Sequence, residues 1–253
     1  MTKTKLESLL VAAFALMFLT ALNARAQAGL ESTRFVVHGA PILIEPTGEF
    51  RHNLSNGFGG IGGLLYHIDR PGFFGLLFDV SAQEYGRESK QVPFSDFVDR
   101  VFIKQTTTNS VVTLSFGPEV AWPHGRLRPY FNTGVSELFF RTASSIHGIG
   151  SSEDSIASTT NFRDNTHGWF LGGGLRVPLL GDNPQKAISL DLGVRYVRGG
   201  EASYLREGSI QDNPAGKISF TPLTSLTPHV IYLIGVRFRI PHDPAKRCAR
   251  LLC

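Results

Sequence analysis

Six ionisable side chains stand out by position: Asp79, Glu119, Arg176, Asp191, Arg195 and Arg237. Each sits on the polar side of a run that alternates in polarity, as in Phe78-Asp79-Val80, Leu190-Asp191-Leu192 and Val236-Arg237-Phe238. Three acids and three arginines turned to the same side of one wall would neutralise one another as internal salt bridges. The chemistry predicted is electrostatic bracing, and removing one partner would strand a buried charge at a cost of roughly 3–5 kcal/mol. The other use of such a set is a narrow polar pore or a ligand site. Nucleophilic catalysis has less to stand on. His147 and His167 lie near Ser144, Ser145, Ser151 and Asp154, but no spacing among them matches a nucleophile motif. The eight His are scattered, with no HExxH and no Cys/His cluster, so no metal ligands are expected. Gly59, Gly60, Gly62 and Gly63 precede no helical pattern, which argues against a nucleotide loop. No catalytic residue and no cofactor are predicted.

The elements that must carry these charges are strands. Arg34–Ile44 is the first, with Pro41 expected where no ladder hydrogen bond is required. A short connection, Glu45–Asn56, leads to Gly57–Ile68, whose glycines suit a curved wall. The third strand starts at Phe74 and ends near Tyr85-Gly86, and a polar connection covers Arg87–Lys104. Gln105–Val120 and Pro129–Arg141 follow, with Trp122 between them at an interfacial position. Glu137 falls on the apolar face of its strand, so either a bulge shifts the register or the residue lies near an interface. Ala143–Asn165 reads as a long exposed loop, and Thr166–Leu179 and Ala187–Arg198 as the next two strands. Within Gly199–Pro228, a small hairpin could turn at Asp212–Gly216. His229–Ile240 is the last strand. Val230, Tyr232, Ile234, Val236, Phe238 and Ile240 line one face of it, and His229, Gly235, Arg237 and Arg239 fall on the other.

Connection lengths carry the topology. The turns at Asp69, Pro123 and Gly181 are short, and the connections after Arg87, Ala143 and Gly199 are long. Strict alternation of this kind belongs to transmembrane barrels, which keep short turns at one end and long loops at the other. The first connection is the exception, being short for an outer loop. The fold predicted is all-β: an eight-stranded antiparallel up-and-down transmembrane β-barrel.

The final strand resembles a specific signal. Outer-membrane β-barrel proteins usually end in Gly, two variable residues, an aromatic, one variable residue and a terminal aromatic or large apolar residue. Gly235, Phe238 and Ile240 sit at those spacings. Ile240 replaces the commoner aromatic, and a tail follows it. With the pattern of strands, the chain resembles the superfamily of small OmpA/OmpX-like outer-membrane barrels. That resemblance implies the outer membrane of a Gram-negative bacterium, insertion by its barrel-assembly machinery, and contact with outer-membrane lipid.

The N-terminal segment fits export. Lys3 and Lys5 precede an apolar run, Leu9–Leu22, too short for the ~20 residues of a spanning helix. Ala24-Arg25-Ala26 and Ala26-Gln27-Ala28 both fit a cleavage site. Expected boundaries are a cleaved signal peptide at 1–26, a barrel at 27–241 and a C-terminal tail at 242–253. Cys248 and Cys253 in that tail could pair in an oxidising compartment but would close only a small loop. With a formal net charge of +4 and no dense basic block carrying aromatics, no nucleic-acid partner is expected. The function expected is structural or interactive: a monomer whose exposed loops contact external ligands or surfaces. The alternatives are an exported soluble lipocalin-like barrel for a small apolar ligand, with the wall inverted, and a narrow passive pore.

Overall fold

The computed structural model describes residues 34–69, 71–93, 102–148, 157–180, 188–205, 210–212 and 218–240. The expected signal peptide, and the tail with Cys248 and Cys253, lie outside the described residues. Eight long strands form the body: β1 (Phe35–Pro46), β2 (Gly57–His67), β3 (Phe74–Pro93), β4 (Phe102–Ala121), β5 (Arg128–Gly148), β6 (Ala157–Leu180), β7 (Ile188–Tyr204) and β10 (Leu223–Arg239). A helix α1 (Gly48–Asn53) follows β1, and a small hairpin, β8 (Ile210–Asp212) with β9 (Ile218–Phe220), precedes β10. Each long strand pairs antiparallel with its neighbours in the chain. β1 then closes onto β10, with Val36 opposite Arg239 and Pro46 opposite His229. The result is a closed up-and-down barrel with no open edge, so its wall satisfies its own backbone hydrogen bonds.

Local chemistry explains the ends. At the β2–β3 turn the Asp69 carboxylate accepts from the backbone N–H of Phe73 (2.9 Å) and of Phe74 (2.7 Å). Gly72 there and Gly125 in the β4–β5 turn take positive φ, which suits glycine. Pro41, which has no N–H to give, sits at a break in the β1–β10 ladder between the Gly39–Val236 and Ile42–Leu233 pairs. At Gly235 β10 approaches β1 closely: a Cβ there would meet Gly39 O at 2.5 Å.

Several strands are longer than their periodicity predicts. β3 and β4 run to 20 residues each, β5 to 21 and β6 to 24, about double the ~9–11 that cross a bilayer. Parts of Arg87–Lys104 and of Ala143–Asn165, expected as loops, are thus strand: pairing continues to Pro93–Phe102 and to Ile103–Gly148. All this extra length lies at the end away from the short turns. The connection Glu45–Asn56 contains the helix α1, and the Gly199–Pro228 stretch contributes strand at both ends besides its hairpin. The register of β5 is unbroken through Glu137 and shifts only at Thr142/Ala143, so no bulge turns Glu137 inward.

The two faces of the wall differ sharply. On the outside stand Phe35, Phe58, Phe78, Phe116, Phe131, Val135, Trp169, Leu171, Val194, Tyr232, Ile234 and Phe238, all more than a third exposed. On the inside are the buried ionised groups and a second, apolar set that includes Ile42, Leu65, Leu77, Leu138 and Phe170.

Candidate functional site

The lumen is the site, and it has two chambers of different chemistry. The six charged residues singled out by sequence all point inward and all are buried. They sort into two clusters rather than one. In the first, Asp79 on β3 receives Arg195 Nη2 from β7 at 2.6 Å on one oxygen. His38 Nε2 from β1 lies 2.7 Å from its other oxygen, close but not aligned as a hydrogen bond. In the second, Glu119 on β4 pairs with Arg176 Nη2 from β6 at 2.5 Å and faces Arg237 Nη2 from β10 at 3.6 Å. Arg237 also donates through Nε to Asp191 on β7, and Asn132 from β5 donates to Glu119 at 3.4 Å. Register explains the meeting: Arg176 lies directly opposite Asp191.

Two participants escape a reading by charge pattern. Tyr130 on β5 lies between two guanidiniums, 4.1 Å from Arg176 and 5.2 Å from Arg237 by ring centroid. Its hydroxyl fits only because positions 174 and 193 are glycine; a Cβ at either would collide with it. An aromatic followed by Phe131-Asn132 is too common in strands to have flagged Tyr130. His38 is hidden for another reason: both faces of β1 are mostly apolar, so a lone imidazole there carries no charge pattern.

The second chamber, towards the long-loop end, is aromatic. α1 folds over the mouth so that Phe50 is buried. Its ring centroid is 5.3 Å from Tyr204 and 6.2 Å from Phe140, edge-on to both. Tyr85 and His229 complete the cluster at 6.3 Å from Phe140 and 6.2 Å from Phe50. Asn53 Nδ2 donates to the Tyr204 hydroxyl at 3.0 Å, and Thr47 N–H to Pro228 O at 2.9 Å, which ties the helix to β7 and β10. The space left beneath Phe50, among Ile44, Gln83, Tyr85, Val111 and His229, is about 10 Å³ for the centre of a water-sized group. That is room for about one water.

Of the possible Ser/His set, Ser144 and His167 lie on opposite faces of the wall, and Ser145, opposite Ser158, lies eight residues along β5 from Glu137, which His167 faces. Ser144 faces inward, hydrogen-bonded to Thr107 (2.9 Å) and Asn161 (2.6 Å). His167 faces outward against Glu137, whose other oxygen accepts from Asn165 at 2.8 Å. Outward, polar and just beyond Trp169, this trio marks the upper limit of the apolar band, the interfacial placement that the unbroken register left for Glu137. The side chain of His147, and Ser151 and Asp154, lie outside the described residues.

The outer face completes the picture. From Ile188 to Tyr196 the greasy side of β7 runs about 26 Å along the strand, or ~20 Å along the axis at a tilt of ~40°. Aromatics mark both limits: Phe73, Phe74 and Trp122 cluster at the short-turn end, and Trp169 meets Tyr196 at 5.8 Å at the other. A closed barrel, apolar outside with aromatic borders and ionised inside, is a membrane-spanning β-barrel.

No protein-family model matches the chain, and no curated protein sequence does. Among solved structures it is similar to Neisserial surface protein A, at 12% identity and TM-score 0.41 over 81% of this chain and 97% of that one. It is similar to a major outer membrane protein from Thermus thermophilus, at 14% identity and TM-score 0.42 over 81% and 99%. The outer membrane protein OprG from Pseudomonas aeruginosa aligns at 11% identity and TM-score 0.39 over 85% and 99%. Identities this low and superpositions this loose leave the role to be argued from the chain's own residues.

Proposed function

We propose that this protein is a sealed, non-enzymatic barrel of a Gram-negative outer membrane that holds its long-loop hairpins out as a contact surface for external ligands or surfaces. The observation that carries the reading is the mismatch between strand and band. β3 to β6 continue well past the apolar belt, at one end only, while the lumen beneath them is filled. A conduit would need the reverse, an open bore and no reason for tall hairpins. Paired charges at one end and packed rings at the other speak for bracing and against the narrow pore. Apolar side chains on the outside of the wall speak against the lipocalin-like alternative, which needs them inside. Ser144 and His167 on opposite faces speak against a hydrolytic pair. Outer-membrane lipid, the barrel-assembly machinery reading Gly235, Phe238 and Ile240, and a monomeric state belong to the same proposal.

Expression in a Gram-negative host, membrane fractionation and a gel-shift assay test it. The expected result is an outer-membrane fraction whose band migrates faster unheated than boiled, no conductance in planar bilayers, and no change in lipid A mass or peptide substrates. Recovery from the periplasm without detergent would overturn the membrane reading, and steady single-channel currents would overturn the seal.

A further inference from the structure

The short-turn mouth of the lumen carries more positive charge than the bracing needs. Four arginines line one cavity there: Arg128, Arg176, Arg237 and Arg239, with His67 and Ser189 beside them. Arg176 and Arg237 are neutralised by Glu119 and Asp191. Arg128 and Arg239 have no acidic partner among the described residues. Arg128 donates to Gly125 O, at 3.2 Å. It also sits directly across the β5–β6 ladder from Arg176, a like-charge pairing that costs stability on its own. Three residues that line the cavity each carry a buried nitrogen with no partner: Arg176 Nε, Arg237 Nη1 and His67 Nδ1, on residues 8%, 5% and 7% exposed. Unpaired buried polar atoms are expensive, because each keeps the cost of losing its water without a new partner.

Four guanidiniums against two carboxylates leave an excess of two positive charges. A phosphate group carries roughly −1.5 to −2 at neutral pH and presents several strong acceptor oxygens. Guanidinium forks match those oxygens two at a time, which a halide or a single carboxylate oxygen does not exploit. The cavity offers about 30 Å³ to the centres of water-sized atoms, and its rim is open. That is room for about two waters, so the oxygens of one phosphate face can enter while the rest stays at the mouth.

We propose that the short-turn mouth is a phosphate-binding site, with Arg128 and Arg239 as the rim donors and Arg176 Nε as the donor at its floor. The site needs only the barrel and its mouth, so it stands whether or not the hairpins contact external partners. A free phosphate and the phosphodiester of a lipid headgroup, which carries one negative charge, share the acceptor oxygens that the guanidinium forks recognise.

The test uses the purified, folded protein in octyl glucoside, titrated calorimetrically with inorganic phosphate at pH 7 and low ionic strength. One saturable site is expected. Arg239→Gln and Arg128→Gln should each weaken it at least fivefold, and Arg141→Gln, on the outer face near the other end, should leave it unchanged. Heat-modifiable migration checks that each variant is folded. If Arg128→Gln does not fold, Arg239→Gln at the strand end decides alone. Absence of saturable binding, or parental affinity in every folded rim variant, overturns the site. Nanodiscs of phosphatidylglycerol and of phosphatidylcholine separate the sources. Loss of phosphate binding in either nanodisc assigns a headgroup, and binding in both at the affinity seen in octyl glucoside assigns soluble phosphate.

Discussion

At the scale of single residues, the two charge clusters are built unequally, and stability should report the difference. Arg195 is the one arginine on Asp79 among the described residues, a carboxylate left otherwise only with His38. Arg195→Gln therefore strands a buried carboxylate and is expected to cost about 3–5 kcal/mol. Asp191→Asn is gentler. Asparagine keeps an acceptor for Arg237, which still faces Glu119 at 3.6 Å, so a loss of about 1–3 kcal/mol is expected. Urea unfolding of both variants in detergent micelles measures the two costs. Unchanged stability in both would end the case for bracing, and a larger loss at Asp191 would reverse the ranking of the clusters.

At the scale of elements, α1 is a plug over a chamber already filled further down. Replacing residues 48–53 by a short Gly-Ser linker removes Phe50 from Phe140, Tyr204 and His229. Truncating a buried Phe alone costs about 3–5 kcal/mol, so the melting temperature should fall. Planar bilayers should nonetheless stay silent, because Glu119, Arg176, Arg237 and Tyr130 still close the other end. Current after this replacement would show that α1 is the seal and the charged chamber a passage. The plug was not legible in sequence. Six residues give less than two turns, too few for a helical period to register, and what holds them is tertiary: the packing of Phe50 and the bonds of Asn53 and Thr47 to β7 and β10. The strands were legible where lipid imposes alternation, as in Ile188–Tyr196, where one face must be greasy. Beyond the band no such demand exists. Thr106-Thr107-Thr108 and Ser144-Ser145 are polar on both faces, so the outer ends of β4 and β5 carry no alternation while the backbone goes on pairing. The charged positions were legible for the same reason as the strands, by parity. Their division into two clusters was not, because it depends on how far each strand is staggered against the next.

At the scale of the whole molecule, everything depends on which solvent the wall meets, and one substitution asks that directly. Leu192 is exposed on the outer face of β7, midway between Ile188 and Tyr196 and across from Ile234. In water such a site tolerates arginine, because surface changes away from special features usually stay within about 0.5 kcal/mol. In hydrocarbon the same change puts a guanidinium near mid-band, where membrane barrels lose about 2–4 kcal/mol. Arg163, on the same side of the wall but beyond Trp169, supplies the depth control: Arg163→Val should be near neutral, since charge costs little at the interface. Unfolding measured in phospholipid vesicles should thus show a large loss for Leu192→Arg and almost none for Arg163→Val. Equal, small effects at both sites would mean that water, not lipid, surrounds the barrel, and the greasy outer face would then need a protein partner to cover it.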